Sequence, residues 1–239
     1  MSDTVRWGYE GAIGPSCWGG LSPEFSLCDC GKEQSPIDLV RLDADAVALE
    51  AIEFDYRAVP AGIGDVIDTG AALQLNCPSG GGIGVDGLRY DLVQLHFHHG
   101  SEHLIEGRRL AMELHLVHRS KDGDICVVGV LLEEGAHNPA LDPLWRHLPQ
   151  GPKSGAIAGD DSLATVDPAS LLPLRRSAWR YSGSLTTPPC SEGVKWLVMT
   201  EPVSLSAAQI AAYGAVYPDS HRPVQPLGER VLLCDAPSS

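Results

Sequence analysis

The chain is short of several things that would point to other functions. It has no apolar run of membrane-spanning length, so no transmembrane span is expected. Lysine and arginine are scarce, 17 against 31 aspartates and glutamates, for a formal charge of −14. No basic block can follow a phosphate backbone, which argues against nucleic acid and against an anionic membrane as partners. There is no Gly-x-Ser-x-Gly elbow, and the Gly80-Gly81-Gly82 run forms neither a P-loop nor a dinucleotide fingerprint. No internal repeat or long low-complexity linker divides the chain. The seven cysteines do not space out as a four-thiolate zinc site, because Cys28 and Cys30 are separated by one residue and no second close pair completes them. An odd number leaves at least one thiol unpaired within the chain, and Cys126, inside an apolar run, reads as a small buried hydrophobe.

What is present reads as a single domain, 1–239, whose residues 1–35 wrap irregularly over a core. Alternating polarity predicts a strand over much of Ala46–Tyr56 and a short one at Ala71–Leu75, with turn-rich breaks at Pro60–Gly64 and Pro78–Gly84. The strongest strand signals are Arg89–His99, Leu110–Val117 and Ile125–Leu132, with Trp196–Thr200 further on. The glycine-containing segments between them suit antiparallel turns. Asn138–Leu148 and Ser206–Tyr213 read as short helices, the second capped by Ser204 or Ser206. The tail, Arg222–Leu233, is expected to dock on the core. The pattern is mainly β with peripheral helices.

Nine histidines occur, and five fall between His96 and His115 inclusive. A strand repeats every second residue, so Gln94, His96 and His98 face one way while Leu95 and Phe97 face the other. On the next strand Glu113, His115 and Val117 share a face. Pairing the two strands brings three imidazoles together, and three imidazoles plus a water make an open tetrahedral zinc site. A ligating histidine usually donates its second ring N–H to an oxygen acceptor, a role Gln94 and Glu113 are placed to fill for His96 and His115; a carboxylate as direct ligand is the alternative. Downstream, Ser184-Leu185-Thr186-Thr187-Pro188-Pro189-Cys190 holds two hydroxyl residues before two backbone-fixing prolines, which suits either an ordinary turn or a hydroxyl held at one distance from a metal-bound oxygen.

In combination and order these residues resemble the α-class carbonic anhydrases. The likeness runs through Trp7-Gly8-Tyr9, Gln34-Ser35-Pro36-Ile37, Gln94 to His98, Ser101-Glu102-His103, Glu113 to His118, Leu185 to Pro189 and Arg222 to Leu227. It implies a large, twisted, mostly antiparallel sheet of about ten strands. It implies Zn2+ on His96, His98 and His115, with Gln94 and Glu113 behind them. It implies reversible hydration of carbon dioxide to bicarbonate and a proton by zinc-bound hydroxide. Thr186 would orient that hydroxide, with its own hydroxyl donating a hydrogen bond to Glu102. Thr187 would position bicarbonate and water, and Tyr9 would join the solvent network. Val117, Val127, Leu185, Val194 and Trp196 would form the apolar carbon dioxide pocket. Sulfonamides and small anions are implied as inhibitors, with a weak esterase side activity; a non-catalytic binding domain is the main rival. Oligomeric state is not legible.

Three positions depart from the family pattern. Ala71 stands where a proton-shuttling histidine is common, which predicts turnover that depends on buffer. Leu110 replaces an aromatic. His99 replaces a tryptophan, and it is expected to pack or hydrogen-bond, like His103 and His118, without ligating metal. The resemblance also implies a disulfide from Cys28 to Cys190, with Cys30 the alternative partner. A disulfide favours a periplasmic or secreted location if a leader has been removed, whereas Met1 as the natural start favours the cytoplasm.

Overall fold

The structure is a computed structural model, and it describes residues 5–47, 49–61, 64–78, 81–149, 155–156 and 165–235. Ten strands form the main path of one large sheet: β1 (Ala44–Val47), β2 (Asp65–Asp68), β3 (Leu73–Asn76), β4 (Leu88–His99), β5 (Met112–Ser120), β6 (Ile125–Glu134), β7 (Gly155–Ala156), β8 (Ala178–Ser184), β9 (Glu192–Met199) and β10 (Leu232–Asp235). Their order is β7-β2-β3-β4-β5-β6-β9-β8-β10-β1. All neighbours on this path are antiparallel except β6–β9 and β10–β1. Glu53–Tyr56, Gly81–Val85 and Val203–Leu205 extend the sheet to 13 strands, and Asp38–Leu39, Leu104–Ile105 and Arg108–Arg109 form a separate sheet of three. The fold is the mainly β, mostly antiparallel sheet expected from the sequence.

The long central strands follow from their composition. β6 is buried along nearly its whole length, so its near-continuous apolar run packs on both faces. One face of the sheet carries Leu95, Phe97, Leu114, Leu116, Val128 and Val130 into the larger core. The other carries Val127, Leu131, Val194, Trp196 and Val198 into a second cluster. The metal-site residues lie on this second face.

Several boundaries differ from the sequence reading. Ala46–Tyr56 falls in two strands, β1 and Glu53–Tyr56, which pair with different partners in the sheet. Residues 81–84 belong to a strand, not a turn. A side chain at Gly81 or Gly82 would collide with the carbonyl of Asp55 or Tyr90, so these glycines allow close strand approach. The helix expected over Asn138–Leu148 is a 3₁₀ turn, Pro139–Leu141, followed by one α-turn, Asp142–Trp145. Ser206 caps the helix Ala207–Gly214 through a reciprocal pair with Gln209. The tail docks as expected, through buried Arg222 and strand β10. Residues 5–35 hold short helical turns, and Trp18, with Trp7 and Tyr9 edge-on to it, anchors them. No described helix is long and apolar enough to cross a membrane.

Candidate metal centre

The strand register builds the site row by row. One row runs Gln74, His96, His115, Gly129 and Val198 across β3, β4, β5, β6 and β9. The next, two residues along β4, runs Asn76, Gln94, Val117, Val127, Trp196 and Tyr181. On the other side His98 lies opposite Glu113. Because strand side chains alternate, all three rows face the same side.

His96, His98 and His115 each offer a ring nitrogen to one point, with these atoms within 4.8 Å of one another. The second nitrogen of each ring is engaged. His96 Nδ1 is 2.9 Å from Gln94 Oε1, His98 Nδ1 is 2.7 Å from the Ser220 carbonyl, and His115 Nε2 is 2.9 Å from Glu113 Oε1. These acceptors fix the N–H on the outer nitrogen, leaving lone pairs on His96 Nε2, His98 Nε2 and His115 Nδ1 aimed inward. That is the donor set of an open zinc site: three ring nitrogens whose lone pairs converge. Burial, and then the neighbouring His98 and His115, hold His96 well below the usual histidine range. Burial also lowers His98, against the opposing charge of Glu102. Both rings therefore stay neutral and able to ligate near pH 7.

Glu113 does more than serve His115. Its Oε1 also lies 2.7 Å from His103 Nδ1, and its Oε2 accepts from the His103 backbone N–H at 2.8 Å. His103, Glu113 and His115 come close enough to suggest a second metal group. The hydrogen bonds use the facing atoms, so this trio is a chain of donors and acceptors. Burial pushes the Glu113 carboxyl up, but its contacts with His103 and His115, which donate hydrogen bonds to it, hold it well below the usual range. His103 Nε2 meets the Tyr181 hydroxyl at 2.7 Å, and that hydroxyl meets Ser35 Oγ at 2.9 Å. Sequence reasoning placed His103 among structural histidines, named Arg222 only as part of the matching tail segment, and missed Tyr181 and Ser220. Ser220 acts through its backbone carbonyl, which carries no residue-type signal.

Glu102 is fully buried. Its Oε1 accepts the Arg222 backbone N–H at 2.7 Å, while Oε2 sits 3.5 Å from His98 Nε2 with no hydrogen-bond partner. Thr186 is buried on the loop after β8, but its hydroxyl does not bond Glu102 in this structure. Thr187 is partly buried, and its carbonyl accepts the Cys190 N–H at 2.9 Å. Tyr9 lies within the field of Glu102, and burial first, then that charge, raises its phenol well above the usual value. Val127, Val194 and Trp196 form one apolar cluster with Val117 and Leu185 packed against it. Ala71 lies on the turn between β2 and β3, with its N–H held by Thr69 Oγ1 at 3.2 Å.

The remaining motif residues have structural roles. His99 points away from the three ligands, and its Nδ1 accepts the Asp219 N–H at 3.2 Å. His118 is buried between the Tyr56 hydroxyl at 2.9 Å and the Cys126 carbonyl at 3.1 Å. Cys28 is bonded to Cys190, and Cys30 is an exposed free thiol. The bridge ties the N-terminal segment to the loop that carries Thr186. Arg222, itself buried, reinforces it by donating to the carbonyls of Cys28 and Ser35 and to Gln34 Oε1, each at 2.8 Å.

Comparison with known proteins gives a consistent family. The sequence profile described as eukaryotic-type carbonic anhydrase matches residues 13–235. A carbonic anhydrase of Nostoc sp. is 42% identical, over 96% of this chain and 86% of its own. One from Pectobacterium atrosepticum is 39% identical, over 97% of this chain and 92% of its own. Among solved structures, the α-carbonic anhydrase of Thermovibrio ammonificans in complex with the inhibitor sulfanilamide superposes with a TM-score of 0.89 at 42% identity, covering 96% of this chain and 99% of that one.

Proposed function

The chain belongs to the eukaryotic-type carbonic anhydrase family, and we propose that it interconverts carbon dioxide and bicarbonate with zinc held by His96, His98 and His115. The observation that carries this reading is the convergence of three ring nitrogens whose opposite nitrogens are bonded to Gln94, Ser220 and Glu113. Zinc bound there lowers the pKa of water to about 7 and supplies hydroxide near neutral pH.

The chain's own residues account for the rest. Burial keeps His96 and His98 neutral, so they offer lone pairs near neutral pH. The wall of Val117, Val127, Leu185, Val194 and Trp196 suits a small apolar substrate, which needs no charged clamp. We assign to Thr186 the hydrogen bond that Glu102 Oε2 lacks. A threonine that donates to a carboxylate keeps only lone pairs for its other contact. With zinc bound, its hydroxyl would be left to accept a hydrogen bond from the nucleophilic oxygen and so to orient it towards the substrate carbon. Thr187 positions bicarbonate and water beside it. Tyr9, held neutral by burial, joins the solvent hydrogen bonds. Ala71 has no group to relay a proton, so the proton leaves with dissolved buffer.

The near-complete span of the family match supports one catalytic domain. The Cys28–Cys190 bridge supports an oxidising compartment for the protein. Stopped-flow carbon dioxide hydration on zinc-loaded and metal-stripped protein tests the reading. Zinc-dependent hydration blocked by sulfanilamide is expected. A protein that holds one zinc per chain and hydrates no carbon dioxide would contradict it.

A further inference from the structure

A buried hydrogen-bond chain leads away from His115 through Glu113, His103 and Tyr181 to Ser35, with links of 2.9, 2.7, 2.7 and 2.9 Å. Its proton assignments are mutually consistent. Glu113 accepts from both imidazoles, so His103 Nε2 accepts from the Tyr181 hydroxyl, and that hydroxyl accepts from Ser35 Oγ. Ser35 Oγ accepts in turn from the Ser184 N–H at 3.1 Å, and the Ser35 N–H donates to Ser184 Oγ at 2.9 Å. Ser35 thus joins the far end of the chain to the strand end that leads into Leu185 and Thr186.

Gly183 sits beside this joint, where the β8–β9 register shifts. A Cβ at this position would overlap Ser35 Oγ and lie 2.8 Å from Tyr181 Cε2 and 3.0 Å from Trp196 Cδ1. These neighbours have little freedom to retreat. The Tyr181 and Trp196 rings are buried and stacked at 11°, and Trp196 Nε1 donates to the Ser184 carbonyl at 3.0 Å. Gly183 is absent from the glycines with positive φ, so close approach and not backbone conformation requires it.

We infer that Gly183 is a positioning residue for the zinc site. Its missing side chain lets Ser35 close the chain that fixes the tautomer and direction of His115, and the same contact seats the strand end before Thr186. The inference rests on the reading of His115 as a zinc ligand.

The test compares Gly183→Ala with Tyr181→Phe and Ser35→Ala, which break the joint without adding volume. Gly20→Ala is the control, since a Cβ there meets nothing within 4 Å. Two properties are read on zinc-loaded full-length protein: the low-field imidazole N–H proton resonances of His103 and His115, and the rate of zinc release to a chelator. In Gly183→Ala and Tyr181→Phe the resonances shift or vanish through exchange, and zinc leaves about 10-fold faster, the lower end for loss of a partner behind a ligand. Gly20→Ala matches wild type. Unchanged resonances and unchanged release in Gly183→Ala overturn the inference. If Gly183→Ala does not fold, unchanged resonances and release in both Tyr181→Phe and Ser35→Ala overturn it equally. A wild-type protein that takes up no zinc would overturn the function reading itself, whereas normal uptake with unaltered release in Gly183→Ala overturns this inference alone.

Discussion

His103 and His115 meet on one atom: Glu113 Oε1 lies 2.7 Å from His103 Nδ1 and 2.9 Å from His115 Nε2. A carboxylate can accept both bonds on one oxygen and a third on the other, as it does from the His103 backbone. Its negative charge makes His115 a better donor of electrons to a metal.

Replacing Glu113 by glutamine therefore weakens the site in a defined way. The amide keeps one accepting oxygen but loses the charge and turns an NH2 towards a group that donates. Zinc affinity is expected to fall about 10- to 100-fold, measured by competition with a chromophoric chelator. Affinity equal to wild type would show that His115 is oriented by something else.

The second prediction concerns acid stability. Burial lowers the His118 pKa to about 4, against about 6.5 in an unfolded chain. Between these values the unfolded state binds more protons than the folded one, so stability is full above about pH 6.5 and is lost as pH falls towards 4. The loss from this residue amounts to about 3 kcal/mol. Urea titrations from pH 7 to pH 4 measure it. His118→Gln should show a correspondingly shallower decline than wild type, because it has no proton to take up; parallel curves would rule out the assignment.

The third concerns the bridge between Cys28 and Cys190, 162 residues apart in sequence. Removing a native disulfide typically costs about 2–5 kcal/mol. Replacing both cysteines by serine should lower the urea midpoint accordingly and slow hydration through the Thr186 loop. Wild type in strong reductant should approach the same values. Reductant that leaves both quantities unchanged, with both thiols shown to be free, would mean that Arg222 alone braces the loop.

The fourth addresses Ala71. If dissolved buffer carries the proton, turnover at low buffer should rise steeply with added imidazole, and Ala71→His should flatten that dependence by supplying a tethered imidazole at the turn. Stopped-flow rates over a buffer series read this directly. Wild-type turnover that is fast and indifferent to buffer would point to a relay elsewhere in the cavity.

The three inward histidines were legible because a strand's period of two converts sequence spacing directly into a shared face. His96 and His98 needed no more than that, and His115 needed only an antiparallel partner. His103 was not legible in the same way. It lies between strands, and only the tertiary fold brings it to Glu113, Tyr181 and Ser35. Ser220 contributes a main-chain carbonyl, which any residue has. The missed strand at Gly81–Val85 has a related cause: its glycines look like turn residues, yet they are there because Asp55 and Tyr90 leave no space for a Cβ. The single strand read over Ala46–Tyr56 failed because residues 49–52 join no strand, so the segments on either side of them pair separately. The pairing of Cys190 with Cys28 followed from resemblance, and the fold separates it from the Cys30 alternative by leaving Cys30 on the surface.

The central claim is that His96, His98 and His115 hold one zinc and that this zinc is needed for carbon dioxide hydration. It is tested most directly by measuring bound zinc and stopped-flow hydration in the same samples of wild type and His115→Ala. The account predicts one zinc per chain and rapid hydration in wild type, with both lost or severely reduced in the folded variant. A folded His115→Ala protein that keeps full zinc occupancy and wild-type hydration would contradict it.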